Sequence, residues 1–229
     1  MSNVNLILSE LSKKQEDSIT LPFSKKEVNV SKPKFKFQEE IVQLFESYDS
    51  EQSAILSYRK YINDYCSTII GNDVNILDKS YFLYYLASKL SKGNKYQSIN
   101  DNISNLDISS VFEIEEDDIK FKFIVDVPLI STENSFLRFF NAKKKLKVVE
   151  YAFCDIFRFV KTIIINNSES LTIDISDTDI NSIYKIYTSL PVATCSSLID
   201  YINNNISSKI KEAQKDNDIE QDPTIFVSI

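Results

Sequence analysis

Histidine and tryptophan are absent from the 229-residue chain, and glycine occurs only at Gly71 and Gly93. A serine-protease-like triad needs an imidazole base, and most zinc sites use imidazole or clustered thiolates. Phosphate-cradling loops need several glycines, so that backbone N–H groups converge on an anion without a Cβ in the way. Neither toolkit is present. Cysteine is scarce as well: Cys66, Cys154 and Cys195 are far apart, odd in number, and form no CxxC pair or metal-ligand spacing. Reduced, buried thiols in a cytosolic protein are the expectation. No segment has the length of a transmembrane span. Met1 to Leu11 puts no basic region ahead of its apolar residues, so the expected chain stays where it is made and has no membrane partner. Arginine is limited to Arg59, Arg138 and Arg158, whereas Ile, Asn, Lys and Ser are abundant. That skew fits an AT-rich coding sequence.

Hydrophobic residues make up 43% of the chain, enough for a sizeable core. The net charge of −7 argues against a broad phosphate-binding surface, because affinity for nucleic acid comes largely from Lys and Arg neutralising phosphates.

Patterning along the chain predicts an α+β protein, mostly helical, with an N-terminal β-hairpin and a short central antiparallel strand pair. Residues 1–18 read as a flexible or docking tail with apolar Leu6, Ile7, Leu8 and Leu11; residues 19–229 read as one domain, with a subdomain boundary near 94–109. Ile19 to Pro22 and Glu27 to Ser31 form the hairpin. Phe37 to Tyr48 and Ala54 to Ile70 have helical spacing, and Gly71-Asn72-Asp73 stops the second helix. Tyr81 to Ser91, capped by Asp78 or Ser80, is apolar nearly all round and so central to the fold. Ser110 to Glu115 and Ile119 to Val127 alternate as paired strands. Ser131 to Phe140 and Leu146 to Ile165 read as helices, the second β-branched enough at its end to turn into strand. A strand at Leu171 to Ile175, helices at Asp177 to Leu190 and Val192 to Gln214, and an apolar segment at Thr224 to Ile229 complete the chain.

Four groups of residues suggest chemistry, and each has a plainer explanation. The acids between Glu113 and Asp118 resemble a cation site but sit where a solvated turn joins two strands. Asp177, Asp179 and Asn181 match the first, third and fifth places of a calcium loop, yet Ser182 and Thr188 replace its glycine and bidentate glutamate. Ser176 with Asp179 reads better as a capping box. Lys143, Lys144, Lys145 and Lys147, near Arg138, Phe139 and Phe140, suggest a single-strand nucleic-acid site, the alternative being an exposed loop with core-facing aromatics. Cys154 and Cys195 have no histidine to activate a thiolate. A cofactor, a metal and catalysis are therefore not expected.

Several stretches, in order, resemble the baseplate hub and hub-assembly proteins of T-even-like tailed phages. The family opens with a pattern LPS-GK-V---RPF---EEK; here LPFSKKEVNVSKPKFKFQEE supplies Leu21, Pro22, Ser24, Lys26, Val28, Pro33, Phe37, Glu39 and Glu40. DKSYFLYYLASKLSKG resembles the hydrophobic D-eyLf--LRAKSVG segment through Asp78, Tyr81, Phe82, Leu83, Leu86, Ser91 and Gly93, with one extra residue. FEIEEDDIKF is similar to v-idLddi-v, and YKIYTSLP, ending in Pro191, resembles a late aromatic helix. The likeness spans roughly Leu21 to Ile206. Lys25 replaces the family's hairpin glycine, Lys32 an arginine, and Ala87 or Ser88 another arginine; bidentate guanidinium contacts are not carried over to an ammonium. The resemblance implies a non-enzymatic hub component or assembly factor, with other hub or tail proteins as partners in the host cytoplasm or the virion baseplate. The expected docking surfaces are the two apolar ends: Leu6, Ile7, Leu8 and Leu11, and Ile225, Phe226, Val227 and Ile229. The rival functions are a nucleic-acid module using Lys143–Lys147 and a metal-dependent hydrolase using Asp174, Asp177, Asp179 or the acids of 113–118.

Overall fold

The computed structural model describes residues 7, 16–31, 33, 35–47, 51–90, 106–141, 147–166 and 170–214. They form an α+β protein, mostly helical, with a two-stranded and a four-stranded antiparallel sheet. The chain divides into two compact units. The first takes its described residues from Met1–Gly71 and Asp78–Ser104, the second from Asn72–Leu77 and Asn105–Asn217.

The hairpin of the first unit pairs β1 (Glu16–Thr20) with β2 (Glu27–Ser31), Ile19 facing Val28. Strand pairing begins at Glu16, so residues 16–18 belong to the hairpin and not to a tail. Val28 and Val30 turn inward between exposed Glu27, Asn29 and Ser31, the period of two that makes a half-buried strand. The loop closes with Lys25 N–H donating to Leu21 O (3.0 Å) and Leu21 N–H to Lys26 O (2.9 Å). Lys25 has φ 58°, the left-handed region that costs a side-chain-bearing residue roughly 1–2 kcal/mol.

Helices α1 (Phe35–Glu46), α2 (Glu51–Ile69) and α3 (Ile76–Leu90) follow. In α2, Ala54, Tyr58, Ile62 and Cys66 are buried at intervals of four, continued by Ile70 just beyond its end. Phe37 of α1 packs its ring on Tyr61 and Tyr65. Gly71 ends α2 with φ 100° and donates its N–H to Ser67 O, as a C-terminal glycine does. The Lys26 ammonium donates to Ile70 O at 2.8 Å, placing positive charge where the helix dipole is negative.

Asp78 does not cap α3, which starts two residues before it; Asn75 Oδ1 accepts from Leu77 N–H instead. Asp78 is fully buried. Its two carboxylate oxygens accept from successive backbone donors of the hairpin loop, Phe23 N–H and Ser24 N–H, each at 2.8 Å. Asp17, on β1, accepts from Tyr85 OH and pairs with Lys89, both at 2.7 Å. The hairpin is thus fastened to α3 at its loop and again at its first strand. Beside Asp78, buried Lys79 donates to the side-chain oxygen of buried Asn63 at 2.7 Å.

The second unit is built on β3 (Ser110–Glu116), β4 (Ile119–Val125), β5 (Val160–Asn166) and β6 (Ser170–Asp174), in that order. The expected antiparallel strand pair is present as β3–β4, and β5 and β6 extend it to four strands. α5 (Val148–Phe157) stops well short of Ile165, and β5 follows as an inner strand. One face carries the rows Phe112–Phe123–Ile163–Ile173 and Ile114–Phe121–Ile165–Leu171. α4 (Ile130–Asn141), α5 and α6 (Ile180–Ser189) supply a ring cluster centred on Phe153, which touches Phe136, Phe139, Phe157, Tyr184 and Tyr187. Buried Glu133 holds the Arg158 guanidinium at 2.6 Å, joining α4 to the corner between α5 and β5. The last helix runs as α7 (Val192–Ile202), a π-helical turn at Asn203–Ser207, and α8 (Ser208–Gln214). Leu198, Ile202, Ile206 and Ile210 are its buried row.

Two stability outcomes follow from this geometry. Asp78→Ala is expected to cost about 3 kcal/mol, because charge-assisted hydrogen bonds are worth roughly 1.5–3 kcal/mol each. Asp78→Asn, with one acceptor oxygen left, is expected to cost less; urea titration with amide exchange at Phe23 and Ser24 reads both. The β3–β4 loop holds Asp117 (φ 51°) and Asp118 (φ 64°), the type I′ geometry that favours Asn-Gly. Replacing the pair by Asn-Gly is expected to raise stability by roughly 1 kcal/mol in the same titration.

Candidate functional site

Of the apolar ends expected to dock, only Ile7 falls among the described residues; it is helical and 58% exposed. Leu6, Leu8, Leu11, Ile225, Phe226, Val227 and Ile229 lie outside them. So do Lys143, Lys144 and Lys145, whereas Lys147 is exposed and its N–H donates to the Glu150 carboxylate at the start of α5. Phe139 and Phe140 are buried. Phe139 packs on Phe153 and Tyr184, and Phe140 on Tyr151, so neither ring is free to stack on a base.

The acids of 113–118 spread out on the sheet. Glu113 pairs with Lys122 at 2.8 Å and Glu115 with Lys120 at 3.5 Å across the strands, while Glu116 accepts from buried Thr194 Oγ1 at 2.7 Å. The Lys122 hydrogen bond holds the Glu113 carboxyl below the usual range. Asp179, and not Ser176, caps α6. It accepts from Asn181 N–H at 3.0 Å, Ser182 N–H at 3.2 Å and the Ser182 hydroxyl. The Ser182 bonds push its pKa down. Asp174 accepts from Ser176 N–H and Oγ. No three carboxylates or thiols gather around one point among the described residues. Cys154 is buried, and burial raises the pKa of half-buried Cys195, with Glu116 adding to the effect. Both shifts keep that sulfur a thiol at neutral pH.

Two neighbouring clefts of about 190 Å³ and 360 Å³ form a furrow in the second unit. They share Leu129, Thr132, Ile175 and Ser176. Its walls come from four stretches far apart in sequence: the bend after β4, helix α4, the corner between α5 and β5, and the link from β6 into α6. Main-chain bonds hold the bend in place: Ile76 N–H to Pro128 O at 3.0 Å, and Ile130 N–H to Val74 O at 2.8 Å. Leu129, 40% exposed, stands on the ridge common to both clefts.

Compared with family models, with curated proteins and with solved structures, the chain matches none. Its chemistry therefore rests on the side chains themselves.

Two of the three arginines line the furrow. Arg158 is committed to Glu133 and lies over the Phe159 ring, 4.9 Å from its centroid. Lys161 stands 3.8 Å from Asp126. Arg138 is exposed, and its side chain makes no hydrogen bond or ion pair among the described residues. An apolar floor with one unspent guanidinium at the rim suits a partner's apolar side chain beside a carboxylate. In the sequence the scarce arginines read only as a compositional skew and did not point here. The apolar ridge at Leu129 gave no signal.

Asp179→Ala is expected to lower the urea midpoint at neutral pH. A depressed carboxyl pKa adds stability above its unfolded value, near 3.8, and loses it as pH falls through the lower folded value. Wild type and variant are therefore expected to converge in titrations carried below that range.

Proposed function

We propose that this chain is a baseplate hub component or hub-assembly factor of a T-even-like phage, working through protein contacts and not through catalysis. The observation that carries the reading is Lys25. The hub pattern has a glycine at this position, and the backbone of Lys25 takes the left-handed conformation that glycine adopts freely. A second observation supports it. The two best-matched stretches, LPFSKKEV and DKSYFLYYL, meet through the Asp78 carboxylate on the hairpin loop. Matched Leu21, Val28, Phe37, Phe82, Leu83 and Leu86 are all buried. Resemblance at core and fastening positions is what a shared scaffold leaves behind.

Partners are other hub or tail proteins, met in the host cytoplasm during assembly. The furrow around Leu129 and Arg138 offers a surface for them, beside the two apolar ends. The basic run Lys143–Lys147 is less suited to single-stranded nucleic acid, because the stacking rings such a site needs are buried at Phe139 and Phe140.

The test is capture of the tagged full-length chain from phage-infected cells, with mass spectrometry of what accompanies it and of purified virions. Hub proteins are expected in the capture; recovery with no tail protein overturns the reading. Leu129→Asp and Arg138→Glu are each expected to reduce capture at least tenfold with the melting temperature within a few degrees of wild type, since exposed substitutions change stability little. Removal of Thr224–Ile229 is expected to act in the same direction.

A further inference from the structure

β6 is an edge strand whose outer side has no strand partner among the described residues. Edges normally carry protection: lysine, proline, a bulge, or a covering element. The opposite edge has it. β3 carries Glu113, Glu115 and Glu116, and Tyr201 donates its hydroxyl to Val111 O at 3.4 Å with its ring against Phe112. β6 reads Ser-Leu-Thr-Ile-Asp, with neither lysine nor proline and one charge at its far end.

Register then selects a partner. Leu171 and Ile173 point to the helix-covered face, since they oppose Ile165 and Ile163; Ser170, Thr172 and Asp174 point to the other. Leu171 is nonetheless 60% exposed. The helical layer therefore stops short of this edge and leaves room beside it. A second copy of β6, antiparallel about a two-fold axis at Thr172, sets Leu171 against Ile173 on the inner face and Ser170 against Asp174 on the outer face. No like charges meet, every side chain keeps its face, and the exposed leucine is covered. The same operation at β3 centres on Glu113 and opposes it to its own copy.

We propose that two copies of this chain associate through β6, joining their four-stranded sheets into one continuous sheet of both. The interface is isologous, so it closes at a dimer. A five-residue edge buries less than the roughly 1,200 Å² of a stable complex, so the association is weak and concentration-dependent. This inference does not depend on the hub reading.

Sedimentation of the purified full-length chain tests it, alongside oxidative cross-linking of Thr172→Cys. The weight-average mass is expected to rise from 26.4 kDa toward twice that value between micromolar and millimolar protein. Leu171→Lys, which leaves the β6 backbone intact, is expected to hold it at 26.4 kDa. Thr172→Cys is expected to form a disulfide-linked dimer at least tenfold faster than the exposed control Thr188→Cys. A wild-type mass that stays monomeric throughout, or equal cross-linking of the two cysteine variants, overturns the proposal.

Discussion

A carboxylate stripped of water must find donors, and Asp78 finds two in consecutive peptide groups. The first unit is arranged around that requirement. Phe23 and Ser24 can present adjacent N–H groups only if the loop turns tightly, and the tight turn drives Lys25 into left-handed backbone. Lys26 is then placed to reach the carbonyl at the end of α2. One buried charge thus accounts for the hairpin's position, the strain in its loop and the lysine at the neighbouring helix end. An ion pair between solvated side chains could not fix geometry this way, because water competes for both partners.

The second unit solves a different problem. Its sheet needs a lid over one face, and the lid is mostly aromatic. Phe153 makes ring contacts with three separate helices' worth of neighbours, α4, α5 itself and α6. Large flat rings fill space with few rotatable bonds, which lets a small helical layer cover a twisted surface. The burial of Phe139 and Phe140 belongs to this job. The same packing leaves the Glu133–Arg158 pair at the edge of the lid, where the guanidinium is partly wet and the carboxylate is dry.

Elements with clear periodicity were readable in advance: the Val28–Val30 alternation, the glycine stop at Gly71, and the facing strands on either side of Asp117 and Asp118. β5 was not. From Val148 to Ile165 nearly every second or third residue is apolar, and a strand buried within a sheet has no polar alternation to separate it from a buried helix. Only the β-branched Val160 to Ile165 hinted at it. The cap of α6 was off by one role, since Asp179 bonds forward to Ser182 and not back to Ser176. The furrow could not be read at all. Leu129, Ile175 and Arg138 become neighbours through the course of the chain, and local pattern carries no information about such meetings.

Two helices bury residues at a constant spacing of four, and they treat it differently. An α-helix advances 100° per residue, so a four-residue step overshoots by about 40°. In α2 the row from Ala54 to Ile70 therefore winds around the axis and meets new neighbours as it goes. Between α7 and α8 the wider turn, with Ser208 N–H reaching Asn203 O, takes up the excess and keeps Ile206 and Ile210 in phase with Leu198. The exposed asparagines at 203–205 thus act as a phase adjuster: the extra residue that the wider turn absorbs is the one that stretches an ordinary i, i+4, i+7, i+11 stripe to a uniform spacing of four.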